Sequence, residues 1–254
     1  MKNIEDYRNQ IILGNCLDIM KEIPDNSIDM ILCDLPYGTT ACKWDVIIPF
    51  EDLWSQYNRI AKENAVIVLT AAQPFTSLLV ASNISMFRYE WIWEKPQGTN
   101  PLNANVMPLK SHENVLVFSK KKPNYFPQME EGKPYSGFVS KDGATIGEVY
   151  ANQKSIHKEN HGTRFPKTIR RFKQERGLHP TQKPVDLFEY MIRTYTNEGE
   201  LVLDNCIGSG TTAIAAIKSK RDYIGIEKED KYYRICVDRI DEYNSTSTLD
   251  KHLE

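Results

Sequence analysis

The sequence lacks any run of about 18 apolar residues, so no membrane span is expected. Its opening stretch, Met1–Gln10, is polar and has no apolar core of the kind that marks a signal peptide. Cysteine is scarce. Five residues, an odd number with no CxxC pair, support neither a disulfide framework nor a zinc site, and a reducing cytoplasm is the simplest compartment. His112, His157 and His161 have no metal-ligand company, so no metal is expected. There is no internal repeat. No sign of charge dominates either, the net charge being −2. The distribution is uneven, however. Lys110–Arg176 holds fourteen Lys/Arg against seven Asp/Glu, whereas Asp222–Glu254 holds nine acidic residues against five basic ones. A local basic excess of that size suits either a polyanion partner or a solvated surface loop.

What is present reads as α/β. The hydrophobic share of 41% and charged share of 26% are ordinary for a globular protein, and 254 residues suit one α/β domain with an insertion, or two domains. Short apolar runs at Ile11–Leu13, Ile28–Cys33, Ala65–Leu69, Phe87–Trp93, Asn114–Phe118, Leu201–Leu203 and Asp222–Ile226 predict strands. The run Ile28–Cys33 is nearly continuous, as expected of a strand buried on both faces. Helical spacing predicts helices over Cys16–Glu22, Glu51–Lys62, Pro74–Val80, Pro184–Tyr195, Thr211–Lys218 and Lys231–Tyr243, with Asn244–Glu254 fraying. Alternating strands and helices imply a largely parallel sheet with helices on both faces. Between Lys120 and Leu178 the periodicity stops. That stretch is rich in Lys, Gly, Pro, Tyr and His, and reads as an inserted module or a set of binding loops.

Two strands end in turns that look chemical. Leu201–Leu203 runs into Asp204-Asn205-Cys206-Ile207-Gly208-Ser209-Gly210-Thr211-Thr212, which opens an alanine-rich helix. Gly208 and Gly210 let backbone approach a ligand, and the helix start offers N–H donors to a carboxylate or phosphate. Glu227 ends the next strand about 20 residues later, where an acidic residue meets ribose hydroxyls in nucleotide-binding folds. Ala213 replaces the third glycine of a dinucleotide fingerprint, and no Gly-Lys-Ser/Thr follows. An adenosine ligand carrying a carboxylate fits better than NAD or ATP; a tight turn without a ligand is the plainer alternative. The other turn is Asp34-Leu35-Pro36-Tyr37-Gly38, after Ile28–Cys33. Ligand sites in open α/β sheets form past the carboxyl ends of strands, so the two turns are expected to share one crevice.

Asp34-Leu35-Pro36-Tyr37 resembles the Asp-Pro-Pro-Tyr motif of amino-directed DNA methyltransferases, and Asp204–Thr212 is similar to their cofactor motif. His179-Pro180-Thr181-Gln182-Lys183-Pro184 resembles the segment before that motif in β-class members, and Gly14-Asn15-Cys16-Leu17-Asp18 the segment before the catalytic strand. The resemblance covers roughly 10–120 and 178–242, in the β-class order. It implies a doubly wound, mostly parallel, seven-stranded Rossmann-like sheet, circularly permuted, with an inserted recognition region. The parts would be 1–119 (catalytic half), 120–178 (target recognition) and 179–254 (cofactor half).

The same resemblance implies methyl transfer from S-adenosylmethionine to the N6 amine of an adenine flipped out of double-stranded DNA. Cytosine N4 is the nearest rival; RNA or protein methylation, and a DNA-binding relative without catalysis, are further ones. Asp34 and the main-chain carbonyl of Leu35 would accept the amine protons, and Tyr37 would stack on the base. Leu35 departs from the family's first proline, but a carbonyl survives the change of side chain, and Pro36 still keeps Leu35 extended. Asn15, Cys16, Asp34, Lys183, Asp204, Cys206, Gly208, Ser209, Gly210, Thr211, Thr212 and Glu227 would hold the cofactor, Lys183 through its carboxylate. Trp44, Phe75 and Trp93 are candidates for the pocket wall or for plain core packing. Lys120, Lys121, Lys122, Arg164, Lys167, Arg170 and Arg171 are candidate phosphate contacts. A homodimer and a cognate restriction endonuclease are candidate partners, in the cytoplasm of a bacterial or phage-infected cell.

Overall fold

The structure is a computed structural model and describes residues 3–40, 42–139, 156–175, 177 and 182–250. His179, Pro180 and Thr181 lie outside the described residues. The chain divides into two compact units, Met1–Phe126 with Thr168–Glu254, and Pro127–Lys167.

The larger unit is built on eight strands. In chain order they are β1 (Gln10–Leu13), β2 (Ile28–Cys33), β3 (Ala61–Ala71), β4 (Phe87–Thr99), β5 (Lys110–Phe118), β10 (Ile169–Arg171), β11 (Leu201–Asp204) and β12 (Asp222–Glu227). They lie in the order β1-β12-β11-β2-β3-β5-β4-β10. Only β5 runs antiparallel to its neighbours β3 and β4. Seven of the eight are the strands expected from the sequence. The eighth, β10, falls in the stretch without periodicity and pairs with β4 through Ile169↔Ile92 to Arg171↔Glu94. Only three residues long, it leaves no period to read.

Among the described residues, six α-helices cover the faces: α1 (Cys16–Glu22), α2 (Phe50–Ile60), α3 (Phe75–Ser82), α4 (Val185–Tyr195), α5 (Thr211–Lys218) and α6 (Asp230–Asp250). The two-residue period of the strands deals side chains to two cores. Ile31 and Cys33 pack with Met20 of α1, Leu53 and Tyr57 of α2 and Leu79 of α3, while Met30 and Leu32 pack with Leu187 of α4, Ala213 of α5 and Cys236 of α6. Ile28 should share a face with Met30 but joins the first core, because the β2–β3 register shifts between those residues. The expected fraying beyond Tyr243 is not what the structure shows: α6 continues to Asp250. Ser245 and Thr246 are accommodated inside it, their hydroxyls donating to the carbonyls of Asp241 and Glu242, four residues back.

The smaller unit contains two two-stranded sheets. β6 (Glu130–Glu131) pairs with β9 (Thr163–Arg164), and β7 (Tyr135–Val139) pairs with β8 (Ile156–Asn160). Arg164 organises it, donating to Asn160 Oδ1 and to the carbonyl of Lys133, with its guanidinium 4.7 Å from the centre of the Tyr135 ring.

Candidate active site

β2 and β11 are parallel neighbours, with Leu203 opposite Ile31. From β2 the chain goes on to β3 on one side, and from β11 to β12 on the other, so a crevice opens past their carboxyl ends. A cavity of about 680 Å³ fills it, and both Asp34 and Asp204 line it.

Asp34 leaves β2 with three donors on its carboxylate. Oδ1 accepts from the Tyr37 hydroxyl at 2.7 Å and from Thr70 Oγ1, at the end of β3; Oδ2 accepts from Lys183 Nζ at 2.6 Å. The Tyr37 ring stacks on Phe75, with centroids 5.0 Å apart and planes 20° apart. Burial, with the charges of Asp34 and Glu113, pushes the Tyr37 phenol well above its ordinary range, so it stays a donor. After Tyr37 the chain turns at Gly38, whose φ of +66° disfavours any side chain. The turn is tied down by Asp45, whose carboxylate accepts the backbone N–H groups of Gly38, Thr39 and Thr40 at 2.7–2.9 Å. Burial opposes the Asp45 charge, but the Thr40 side chain and these three donors hold its carboxyl below the usual range.

Behind Asp34 lies an alternating ionic chain. Lys183 Nζ is 3.4 Å from Glu113 Oε2, and Glu113 Oε1 accepts from Lys95. Lys183 is only 5% exposed and Lys95 8%. Burial alone would lower the Lys183 pKa, but Asp34 and Glu113 outweigh it and raise the value. Burial likewise works against the Glu113 carboxylate, and the two lysines hold it below the usual range. Lys183 was expected at the cofactor's carboxylate; here its ammonium is bound to Asp34.

The β11 side is built differently. Asp204 is buried and accepts from Thr212 Oγ1 and from Cys206 N at 3.0 Å. Burial pushes its carboxyl up to about 7 in spite of those donors. Glu227, ending β12, accepts Gly208 N at 2.9 Å and Glu229 N at 2.8 Å, which pins a carboxylate to the cavity wall. Burial raises its pKa too. Asn15 caps α1 by accepting Leu17 N at 2.9 Å, and it lines the cavity together with Cys16, Cys206, Gly208, Ser209 and Thr211. Gly210 and Thr212, both expected to touch the cofactor, do not line the cavity. Gly210 has φ +86°, and a Cβ there would lie 2.8 Å from Cys236 Sγ of α6, so it is a packing glycine. The Thr212 hydroxyl is spent on Asp204. Burial pushes the Cys33 thiol, beside Asp204, up to about 12, so it is no nucleophile.

The cavity suits a nucleoside carrying charged ends. Its volume is in the range of cofactor sites (about 300–1,000 Å³). A fixed carboxylate stands at one wall in Glu227, backbone turns at Gly208–Ser209 at another, and the cavity continues to Asp34. Trp44 and Trp93 also line it, Trp44 edge-on to Tyr232, whereas Phe75 is buried beneath Tyr37.

Of the candidate phosphate contacts in the larger unit, none lines the cavity. Lys120 Nζ donates to the Ala61 carbonyl at 2.7 Å and Lys121 pairs with Glu63 at 2.6 Å. Both partners sit at the amino end of β3, the far end of the sheet from the crevice, because antiparallel β5 carries the chain away from it. Those two lysines, with Lys122 next in line, thus lie away from the crevice. Arg170 lies with its guanidinium 4.8 Å from the centre of the Tyr190 ring, Arg171 is exposed on β10, and Arg164 and Lys167 belong to the smaller unit. Thr70, Asp45, Lys95 and Glu113 were missed. A period-2 signal existed for the last two: Trp91, Trp93 and Lys95 alternate on one face of β4, and Glu113, Val115 and Val117 on the same face of β5.

The profile of a family described as DNA methylase matches residues 28–238. The DNA adenine methyltransferase YhdJ of Escherichia coli K12 is 27% identical over 254 residues, covering 91% of this chain and 82% of its own. In fold, the chain is similar to the structure of an M1.HpyAVI–SAM complex (TM-score 0.61, 22% identity, 91% of this chain and 98% of that one). It is also similar to the cytosine-N4-specific PvuII DNA methyltransferase (TM-score 0.65, 16% identity, 91% and 85%). A profile match running from β2 into α6 spans both turns of the crevice, and the chain therefore belongs to the N6/N4 DNA methylase family, whose methyl donor is S-adenosylmethionine.

Proposed function

We propose that the protein methylates the N6 amine of adenine in duplex DNA, with Asp34–Tyr37 presenting the amine. The observation that carries this reading is Asp34 itself: a carboxylate at a strand end, beside the Leu35 carbonyl, in one cavity with Glu227 and the Gly208 turn. The bound S-adenosylmethionine supplies an electrophilic methyl group on a sulfonium. Asp34 and the Leu35 carbonyl accept the two amine protons, which directs the nitrogen lone pair and offsets the positive charge that develops on it. Tyr37, backed by Phe75, gives the flipped base a stacking surface worth about 1–3 kcal/mol. Glu227 takes the ribose hydroxyls, and Asn15, Cys16, Asp204, Cys206, Ser209 and Thr211 line the cofactor. With reactants held this way, much of the rate comes from positioning.

Adenine is favoured by the carboxylate at position 34 and by the name of the relative YhdJ. Cytosine N4 is the second reading, carried by the likeness to the PvuII enzyme, since cytosine offers the same amine beside a ring nitrogen acceptor. Target recognition is assigned to 120–178, between the catalytic half (1–119) and the cofactor half (179–254). The homodimer, the cognate endonuclease and the bacterial cytoplasm belong to the same proposal.

Expression in a methylation-free host, followed by single-molecule sequencing, tests it: N6-methyladenine at one sequence is expected. N4-methylcytosine would replace the first reading by the second, and unmodified DNA would overturn both. Neutralising Arg170 and Arg171 should weaken DNA binding and lower the salt slope by about one unit each, while neutralising Lys120 and Lys121 should leave both unchanged.

A further inference from the structure

We propose that Glu113 is a positioning residue that takes Lys183 from Asp34 when the target amine enters, and so converts a resting ion pair into a free acceptor. This rests on the reading of Asp34 as the acceptor of that amine.

In the resting structure three donors crowd the Asp34 carboxylate. Tyr37 and Thr70 donate to Oδ1, and Lys183 holds Oδ2 at 2.6 Å. An amine bringing its own N–H donors meets the lysine on Oδ2, where only Lys183 donates among the described residues. The lysine is the one that most opposes the reaction, because an ammonium on Asp34 cancels the negative charge that the reacting nitrogen needs beside it. Yet Lys183 cannot leave for water, being only 5% exposed, and a buried ammonium stripped of its partner is strongly disfavoured.

Glu113 resolves this. Its side chain is 12% exposed, Oε1 is bound by Lys95, and Oε2 is buried with no hydrogen-bond partner among the described residues. Such an orphan is uncommon and calls for a reason. Oε2 lies 3.4 Å from Lys183 Nζ, so a shift of about half an ångström brings the ammonium into hydrogen-bond range. Lys183 is thus poised between two carboxylates. Moving from one to the other keeps it paired and buried throughout, completes Glu113, and leaves Asp34 Oδ2 open. Lys95 stays on Oε1 and holds the receiving carboxylate still. The sheet makes the arrangement possible: Glu113 is opposite Trp93 in the β4–β5 ladder, and Lys95 follows two residues on, on the same face.

The experiment uses the full-length protein, tritiated S-adenosylmethionine and DNA from a methylation-free host, under single-turnover conditions. Glu113→Gln keeps an acceptor for Lys95 but leaves Lys183 no second anion. Its transfer rate should fall at least about tenfold, while S-adenosylmethionine affinity by calorimetry and DNA affinity by fluorescence anisotropy stay within about twofold. Adding Lys183→Met to that variant removes the ammonium that needs a new partner, so the double variant should transfer faster than Glu113→Gln alone. A wild-type rate for Glu113→Gln, or a double variant no faster than the single, overturns the proposal. Thermal melting checks folding. If Glu113→Gln is unfolded, Glu113→Asp serves in its place: it keeps an anion and should stay within about threefold of wild type, and a tenfold loss there overturns the proposal. A wild-type protein that transfers no methyl group to DNA would refute the proposed function instead.

Discussion

Asp34 and Asp204 end adjacent parallel strands, and their surroundings are opposite. Asp34 keeps about a fifth of its side chain exposed and is held by a lysine, a phenol and a hydroxyl. Asp204 is closed off, bonded to Thr212 and to the backbone of its own turn, and burial carries its carboxyl up to about 7. Position at a strand end does not by itself make a carboxylate reactive. A neighbouring ammonium gives one a partner it can exchange; burial raises the pKa of the other, whose hydrogen bonds make it part of the scaffold.

The sharpest way to break that contrast is Asp34→Ala. Methyl transfer should fall by at least about a thousandfold while S-adenosylmethionine binds with nearly unchanged affinity, because the loss is confined to the transition state. Unchanged turnover would sink the mechanism. Glu227→Ala should do the reverse, weakening cofactor affinity by about tenfold or more through lost charge-assisted hydrogen bonds; equal affinity by calorimetry would remove Glu227 from the site. The smallest effect concerns Asp204 and pH. Its folded pKa lies above the ordinary value of 3.8, so between about 4 and 7 the folded state holds a proton that the unfolded chain has lost. Its contribution to stability is therefore fully present below about 4 and is lost as pH rises towards 7. Asp204→Asn should remove that slope, and melting curves across the window would show a few degrees of convergence between variant and wild type. A parallel pair of curves would mean that Asp204 is ionised throughout.

The centre of the sheet was legible because its strands there are buried on both faces and read as apolar runs; Ile28–Cys33 and Leu201–Leu203 could hardly be anything else. Both turns were legible because Asp34–Gly38 and Asp204–Thr212 are local motifs. What escaped was tertiary. That Lys183 would meet Asp34, 149 residues away, depends on α4 packing beside β2, which no local pattern states. Lys120–Lys122 looked like a phosphate clamp because charge in sequence carries no direction, and β5 turns them to the far end of the sheet. Gly210 looked like a ligand-facing glycine, but the same residue type serves equally where a helix such as α6 crowds a turn.

Strand order also sets a timetable. β1 pairs with β12, whose Ile224 lies opposite Gln10, and β2 waits for β11. At ordinary rates of synthesis, on the order of ten to forty seconds separate the first strand of such a pair from the second. Through that interval the largely apolar strand Ile28–Cys33 has one open edge, which invites pairing with other chains. Yield in a recombinant host should therefore depend on growth temperature and chaperone supply more than on the stability of the finished protein.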